Sequence, residues 1–382
     1  MTAPVLTAGL LAELAAHAEG LGLLRLGAVD LGHPGFAPAR DALDRFLAAG
    51  KHGDMDFLQR TRDVRRDPAQ MLPGMRTLLV AAVPYTGDAG PIARYARTRD
   101  YHTVVHQRLI GLERRLTELL PAVQTLICVD TKPLLERSAA ALAGLGFLGK
   151  HGCLIVPGLG SYVLLGELAC TAVLEDSLIR PDLKAVSDAP WDACGACTRC
   201  LDACPTAAFD GPGDLDPRRC ISYLTIEHRG DVPDALADRL GERIAGCDVC
   251  QEVCPYNASA ARDRRVPAVA WIDPAPRTGP DVTGMAAISP SQYRAYVRHM
   301  ALRRIPRRHM RRNALLALGN REGPPDAREL HAIALGLLDR QPLVVAAAAR
   351  AARRRDALDP ALALADQLRA AAAEPESADE PE

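Results

Sequence analysis

The sequence predicts an α+β protein in three parts: an N-terminal α/β block, a cysteine module of the two-cluster ferredoxin type, and a C-terminal array of HEAT-like helical hairpins. Three observations carry that reading. Segments of helical period alternate with strand-length apolar runs through residues 1–185, eight of the eleven cysteines fall between positions 194 and 254, and residues 290–370 are almost continuously Ala, Leu and Arg. With 382 residues, 48% of them hydrophobic and 24% charged, the chain is long enough for two or three domains and apolar enough to bury their cores. Wholesale disorder is thereby excluded.

From Leu10 to Ala18 apolar residues recur at helical spacing until Gly20 stops them, and Leu23–Asp30 (LLRLGAVD) follows as a strand. Thr77–Val83 and Thr125–Val129 also have strand length, and His106–Leu120 between them has helical character. Residues 1–185 thus form the first domain, and Asp176–Asp192, rich in Pro and Asp, reads as the linker out of it. The cysteine module takes residues 186–285 and ends in a second polar, Pro-rich passage. Residues 286–370 form the helical domain, punctuated at Gly319, Pro324-Pro325 and Gln341-Pro342. There Asn313–Asn320 and Pro342–Ala349 fit the second and first helices of stacked repeat units. Residues 371–382 are acidic, lack aliphatic periodicity, and read as a disordered, solvated tail.

Acidic and basic side chains nearly cancel, 47 against 46, so no global field commits the molecule to nucleic acid or membrane, and any such partner must be met by a local patch. Only Lys51, Lys132, Lys150 and Lys184 among the cations are lysines, a compositional skew that discounts arginine-rich stretches. The first twenty residues contain no Lys or Arg, so both a secretory signal and a twin-arginine signal are absent and a cytoplasmic location is expected. The most apolar stretch, Cys153–Leu174, is interrupted by Pro157, Gly158, Gly160, Ser161, Gly166 and Glu167, a combination no lipid-facing helix would carry. Cysteines in a reducing compartment are poor disulfide partners, which turns the cysteine cluster toward metal chemistry.

Cys194, Cys197, Cys200 and Cys204 spell C-x2-C-x2-C-x3-C followed by Pro205, the bacterial ferredoxin run for a 4Fe–4S cluster. A tight turn with a thiolate at every third residue can reach three irons of one cubane, while its fourth cysteine turns toward another. Cys247, Cys250 and Cys254-Pro255 supply a second run, and Cys220 lies between the two. The crossed pattern of two-cluster ferredoxins then gives Cys194, Cys197, Cys200 and Cys254 to one cluster, and Cys204, Cys220, Cys247 and Cys250 to the other. Zinc prefers two separated C-x2-C pairs closing a tetrahedron, a poor match to three thiolates in seven residues. Cys128, Cys153 and Cys170 lie on apolar runs and read as core residues. Two cubanes hand on single electrons, and since no GxGxxG or phosphate loop is present, an acceptor other than a nicotinamide is needed.

Five passages resemble the epoxyqueuosine reductase family: Val129–Arg137 (VDTKPLLER), Ala143–Lys150 (AGLGFLGK), Cys194–Thr206 (CGACTRCLDACPT), Arg219–Glu227 (RCISYLTIE) and Gly246–Pro255 (GCDVCQEVCP). The likeness spans residues 20–350. It implies an enzyme that binds cobalamin, as cob(II)alamin, beside two 4Fe–4S clusters, the first domain being the cobalamin-binding one. The implied reaction is reductive removal of the epoxide oxygen from epoxyqueuosine in a tRNA anticodon stem-loop. It implies as partners that tRNA and a low-potential electron donor the sequence does not identify, with no membrane; a monomer is expected. The chain departs from the family where Phe147, His151 and Tyr256 replace the usual Trp, Asn and Trp.

Read alone, Asp130-Thr131-Lys132-Pro133 is a strand end before a helix, with Asp130 as its cap. The resemblance makes Asp130 the proton donor and a cofactor contact. It also assigns cobalamin contacts to Arg65, Leu154, Leu165, Ser222, Asp248 and Val249. Against these stand a solvated charge for Arg65, core packing for both leucines, and ordering of the cluster loops for the other three. His102 and His106 lack a third ligand type nearby and read as surface residues. Nine arginines and no acid lie between Asp281 and Glu322; of these Arg303, Arg304, Arg307, Arg308, Arg311 and Arg312 are the candidate phosphate contacts for tRNA, with Tyr293 and Tyr296 available to stack on bases. Two other functions fit parts of the sequence. A reductive dehalogenase-like enzyme shares the cofactor plan but would carry an export signal and would leave the arginine stripe unused. A non-catalytic electron-transfer protein would bind no corrin.

Overall fold

The computed structural model describes residues 3–183, 193–260, 272 and 279–373. The chain divides into two compact units, neither bounded at 185 or 285. The first comprises residues 1–89, 94–220 and 248–275, so the first cysteine run belongs with the α/β block; the second comprises 90–93, 221–247 and 276–382.

The first unit is built on a four-stranded antiparallel sheet of β1 (Leu24–Asp30), β2 (Thr77–Pro84), β3 (Thr125–Cys128) and β4 (Val163–Cys170), in the order β1-β2-β4-β3. Every residue of β2 is buried, which is why its sequence is an unbroken apolar run and not an alternating one. Helices α1 (Ala8–Gly20), α2 (Phe36–Ala48), α3 (Arg62–Arg66), α4 (Tyr101–Leu119) and α5 (Glu136–Leu142) belong to the same unit. Thr7 caps α1 by accepting from the Leu10 N–H at 3.3 Å, and Asp100 caps α4 by accepting from the His102 N–H at 3.1 Å. Helix α4 packs directly on β4 because Gly166 has no side chain; a Cβ there would lie 2.5 Å from Val105 Cγ1. That close approach brings the first turn of α4 beside the end of β3. Leu78, Val80 and Ala82 of β2 pack with Ala139, Ala140 and Leu142 of α5 in one core.

In the second unit α6 (Val282–Ala287), α7 (Pro290–Val297), α8 (Arg307–Gly319), α9 (Ala327–Leu337), α10 (Pro342–Arg354) and α11 (Leu358–Ala373) follow in sequence. Capping boxes start α7 (Ser289 with Gln292) and α9 (Asp326 with Glu329), and Pro occupies the first turn of α7 and α10. Helix α8 is buried on all sides from His309 to Gly319 and packs against α10, whose Ala347, Ala348 and Ala351 allow close approach. Gly319 is required there, since a Cβ would lie 2.9 Å from Ala351 Cα. The linker beyond 183 lies outside the described residues until 193, as does the acidic tail beyond Ala373. Among the described residues no helix is long and apolar enough to cross a membrane.

Candidate active site

Strand β3 ends at Cys128, and two residues later Asp130 takes a left-handed backbone, φ +54°. Helix α5 begins only at Glu136, so Asp130 does not cap it; the capping reading is corrected by the five residues between them. The carboxyl is about half exposed and accepts from the Tyr101 hydroxyl at 2.6 Å, with His102 Nε2 at 3.3 Å from the same oxygen. His102 Nδ1 lies 2.7 Å from Asp100 Oδ1, so one carboxylate both caps α4 and orients the imidazole. The reading of His102 as a plain surface residue is therefore corrected: it bridges two carboxyls, and they raise its pKa to about 9. The Tyr101 ring stacks on it, centroids 4.0 Å apart, and burial together with Asp130 holds the phenol far above its ordinary range.

The backbone side of the loop is fixed separately. Glu136 Oε1 accepts from the Asp130 N–H at 2.9 Å, and Arg65 donates through Nη1 to Leu134 O at 2.8 Å and through Nε to Thr61 Oγ1 at 3.1 Å. Arg65 is thus a tethered, partly buried cation within electrostatic reach of Asp130 and Glu136, not a solvated charge. Burial and the Asp130 charge push the Glu136 carboxyl up to about 7. Beneath it lies Glu167 on β4, wholly buried, with no hydrogen bond of normal geometry on either oxygen. Burial first, and then the Glu136 and Asp130 carboxyls, raise its pKa well above the ordinary value. Across neutral pH the folded protein therefore holds a proton that the unfolded chain has released, so stability falls as pH rises above the ordinary Glu range. Glu167→Gln should raise the thermal midpoint at pH 8 and lose that advantage near pH 5, as calorimetry at the two pH values would show.

None of the eleven cysteines forms a disulfide. Cys200 and Cys254 are buried, and Cys194 and Cys197 are near enough to both to raise their thiol pKa values, Cys200 to about 11, although desolvation is the larger cause. Sixty residues of sequence separate Cys254 from Cys194, so this proximity is tertiary. Among the described residues no three His, Cys, Asp or Glu side chains converge as a single ion would require; a cubane takes one thiolate per iron and does not need that convergence. Lys150, buried, donates through Nζ to Gly195 O at 2.7 Å and Cys197 O at 2.9 Å, which ties the first cysteine loop down. The donor set, all thiols with two Cys-Pro endings, suits iron–sulfur cubanes. Cys128 and Cys170 are buried core thiols, whereas Cys153 is only partly buried and close enough to Asp248 and Cys254 to feel their charge.

Asp248 is buried and accepts from the Arg94 N–H at 2.8 Å, with Val249 opening the short helix that follows. Arg94 also pairs with Glu252 at 3.2 Å and lies over the Tyr162 ring at 4.7 Å. Arg97, a neighbour of Asp248 that the sequence did not single out, has Nε and Nη2 buried with no partner among the described residues. Two orphaned cationic donors are what the amide and phosphate oxygens of a corrinoid would satisfy, so the residues present fit that group. Leu154 and Leu165 place their side chains in the core, with Leu165 in register with Ala82. Ser222 is half-buried near the start of the Ile221–Ile226 helix. Phe147 and Tyr256 meet edge to face at 5.3 Å.

The arginine stripe does not survive as one surface. Arg312 is the largest fully buried side chain among the described residues, donating to the carbonyls of Leu224 at 2.6 Å, Gly230 at 2.6 Å and His228 at 3.1 Å. Arg311 is also buried, bonded to Ala286 O at 2.6 Å and paired with Asp339. Arg307 donates to Ile288 O at 2.9 Å, and Arg304 pairs with Glu227 at 2.7 Å while staying exposed. Arg303 and Arg308 are exposed. The stretch contains no acid of its own, but the fold brings acids to it from distant sequence. Tyr293 is buried and donates to Ile305 O at 2.5 Å, so it is not available for stacking on bases.

Two family models match the chain: "Epoxyqueuosine reductase QueG, DUF1730" over residues 65–131 and "4Fe-4S double cluster binding domain" over residues 193–257. The epoxyqueuosine reductase of Gloeobacter violaceus is 37% identical over 322 residues, covering 81% of this chain and 95% of that protein. An epoxyqueuosine reductase solved with a tRNA-Tyr epoxyqueuosine-modified stem loop superposes with a TM-score of 0.77 at 30% identity, over 96% of this chain and 95% of its own. The Bacillus subtilis epoxyqueuosine reductase, solved with its catalytic aspartate loop swung out of the active site, gives a TM-score of 0.74 at 28% identity, over 97% and 95%.

Proposed function

Because the chain belongs to the epoxyqueuosine reductase family, it is an oxidoreductase acting on tRNA in queuosine biosynthesis, and we propose that Asp130 donates the proton for that reaction at a site served by cobalamin and two 4Fe–4S clusters. The observation that carries this is the posture of Asp130: a left-handed backbone on a loop anchored by Glu136 and Arg65, with a half-exposed carboxyl gripped by Tyr101 and bordered by His102. The Bacillus subtilis relative was solved with an aspartate-bearing catalytic loop swung out of the active site, and the position of Asp130 on the loop after β3 supports the same reading here. A proton held at its Oδ atom meets the epoxide oxygen as the C–O bond breaks, which keeps an alkoxide from having to form. When bound, the cobalamin would supply a low-potential cobalt for the two-electron step, and the clusters would supply electrons to it one at a time.

Arg65, Asp248, Val249, Ser222, Leu154 and Leu165 are the proposed cobalamin contacts, to which the orphaned donors of Arg97 are added. Cys194, Cys197, Cys200 and Cys254 would hold one cluster, supported by the electrostatic reach among their sulfurs, and Cys204, Cys220, Cys247 and Cys250 the other. Cytoplasmic tRNA would lie along HEAT-like helices of the second unit. Anaerobic incubation with reductant, cobalamin and tRNA carrying epoxyqueuosine, followed by nucleoside mass spectrometry, should show loss of one oxygen. An unchanged nucleoside while both clusters cycle would contradict the proposal.

For tRNA binding, the exposed Arg303 and Arg308 are retained and the buried Arg311 and Arg312 are not. Arg303→Ala and Arg308→Ala should each weaken tRNA binding and lower the salt slope by about one for every phosphate that is no longer neutralised. Arg312→Ala should instead leave three carbonyls without their charged donor and cost roughly 3 kcal/mol or more in stability. Binding isotherms at several salt concentrations, with thermal melts of the same variants, separate the two classes.

A further inference from the structure

Conversion of an epoxide to an alkene with its oxygen leaving as water consumes two electrons and two protons. The reductase chemistry provides the electrons, and Asp130 carries a single acidic proton. One carboxyl cannot serve both proton steps unless it is recharged while substrate covers its exposed face. A recharging group must therefore touch Asp130 from the protein side.

Two groups do. Tyr101 donates its hydroxyl proton toward Asp130, but its phenol is held far above its ordinary range by burial and by Asp130, so it fixes the carboxyl without releasing a proton to it. The other is His102, with Nε2 3.3 Å from Asp130 Oδ2 and Nδ1 2.7 Å from Asp100 Oδ1. The imidazole is about one-third exposed, so solvent can reload it. Asp100 reaches it from the cap of α4, Asp130 from the loop after β3, and Tyr101 stacks on it within α4. From α3, Arg65 touches the same site electrostatically through Asp130.

We infer that His102 delivers the second proton: after Asp130 has given its proton to the epoxide oxygen, the Nε2–H of imidazolium His102 passes to Asp130 Oδ2, and Asp130 then protonates the departing hydroxyl to water. Each transfer moves one proton and no electrons; the N–H bond of His102 breaks as the O–H bond of Asp130 forms, and the neutral imidazole takes its proton back from solvent. The inference rests on Asp130 being the donor. The charge state suits the task, since the two flanking carboxylates keep His102 protonated up to about pH 9.

His102→Gln should lower kcat by roughly 10²-fold or more, within the range general acids contribute, while KM for tRNA stays unchanged. In the wild type the rate should fall as pH rises through about 9, and Asp100→Asn should move that alkaline limb toward the ordinary imidazole value near 6.5. Nitrogen-15 NMR of the imidazole should follow the same shift without any turnover. His102→Ala should regain rate with added imidazole. An unchanged kcat and alkaline limb in His102→Gln would overturn the relay, and would do so while inactive Asp130→Asn left the donor role intact. Full turnover by Asp130→Asn would remove both. If His102→Gln does not fold, an Asp100→Asn enzyme whose NMR-detected pKa falls while its rate limb stays in place overturns the relay by itself.

Discussion

Asp130→Asn is expected to abolish turnover, by roughly 10²–10⁴-fold, while both clusters, tRNA affinity and thermal stability stay as they are. The asparagine keeps the loop's shape, since its carbonyl oxygen can still accept from Tyr101 and its backbone N–H still reaches Glu136. What disappears is the transferable proton. Because the carboxyl is half exposed and caps no helix, the exchange leaves no buried group unsatisfied. Single-turnover rates, electron paramagnetic resonance of the reduced protein and a tRNA binding isotherm should therefore separate: the first collapses and the other two do not move. Equal losses in all three would make Asp130 a structural residue.

Cys254→Ser should erase the same paramagnetic signal as Cys200→Ser, and a different one from Cys250→Ser. Sequence proximity argues the opposite way, since Cys250 and Cys254 share one short run. The fold sets Cys254 against the first run: it is buried, it feels the charge of Cys194 and Cys197, and it acts in turn on Cys200. Iron should drop from about eight to about four atoms per chain in each single variant, and turnover should fall to background, because a relay missing one cubane has no second stop. If Cys254→Ser and Cys250→Ser lose the same signal, the crossed assignment is wrong.

Three strands of the sheet were legible because each is a short apolar run with a clear end: Leu23–Asp30 is observed as Leu24–Asp30, Thr77–Val83 as Thr77–Pro84 and Thr125–Val129 as Thr125–Cys128. Cysteine spacing was equally legible, since ligand chemistry constrains it locally. The site around Asp130 was not, because its parts come from three places. Asp100 and His102 are two residues apart and read as a cap and a surface residue; only the packing of α4 on Gly166 brings them to the loop after β3. Glu167 reads along the sequence as a polar interruption of an apolar stretch, and nothing local says that it faces Glu136. The arginines failed for the converse reason. A charge-only pattern cannot distinguish Arg303, on the surface, from Arg312, whose guanidinium is threaded into the carbonyls of Leu224, His228 and Gly230. Nor does it show the acids, Glu227 and Asp339, that the fold sets against Arg304 and Arg311.

The most direct test of the cofactor assignment is the iron and acid-labile sulfide content of the whole chain purified without oxygen. Two cubanes on eight thiolates predict about eight of each per chain. Zinc in their place, or a content near four with all eight cysteines intact, would contradict it.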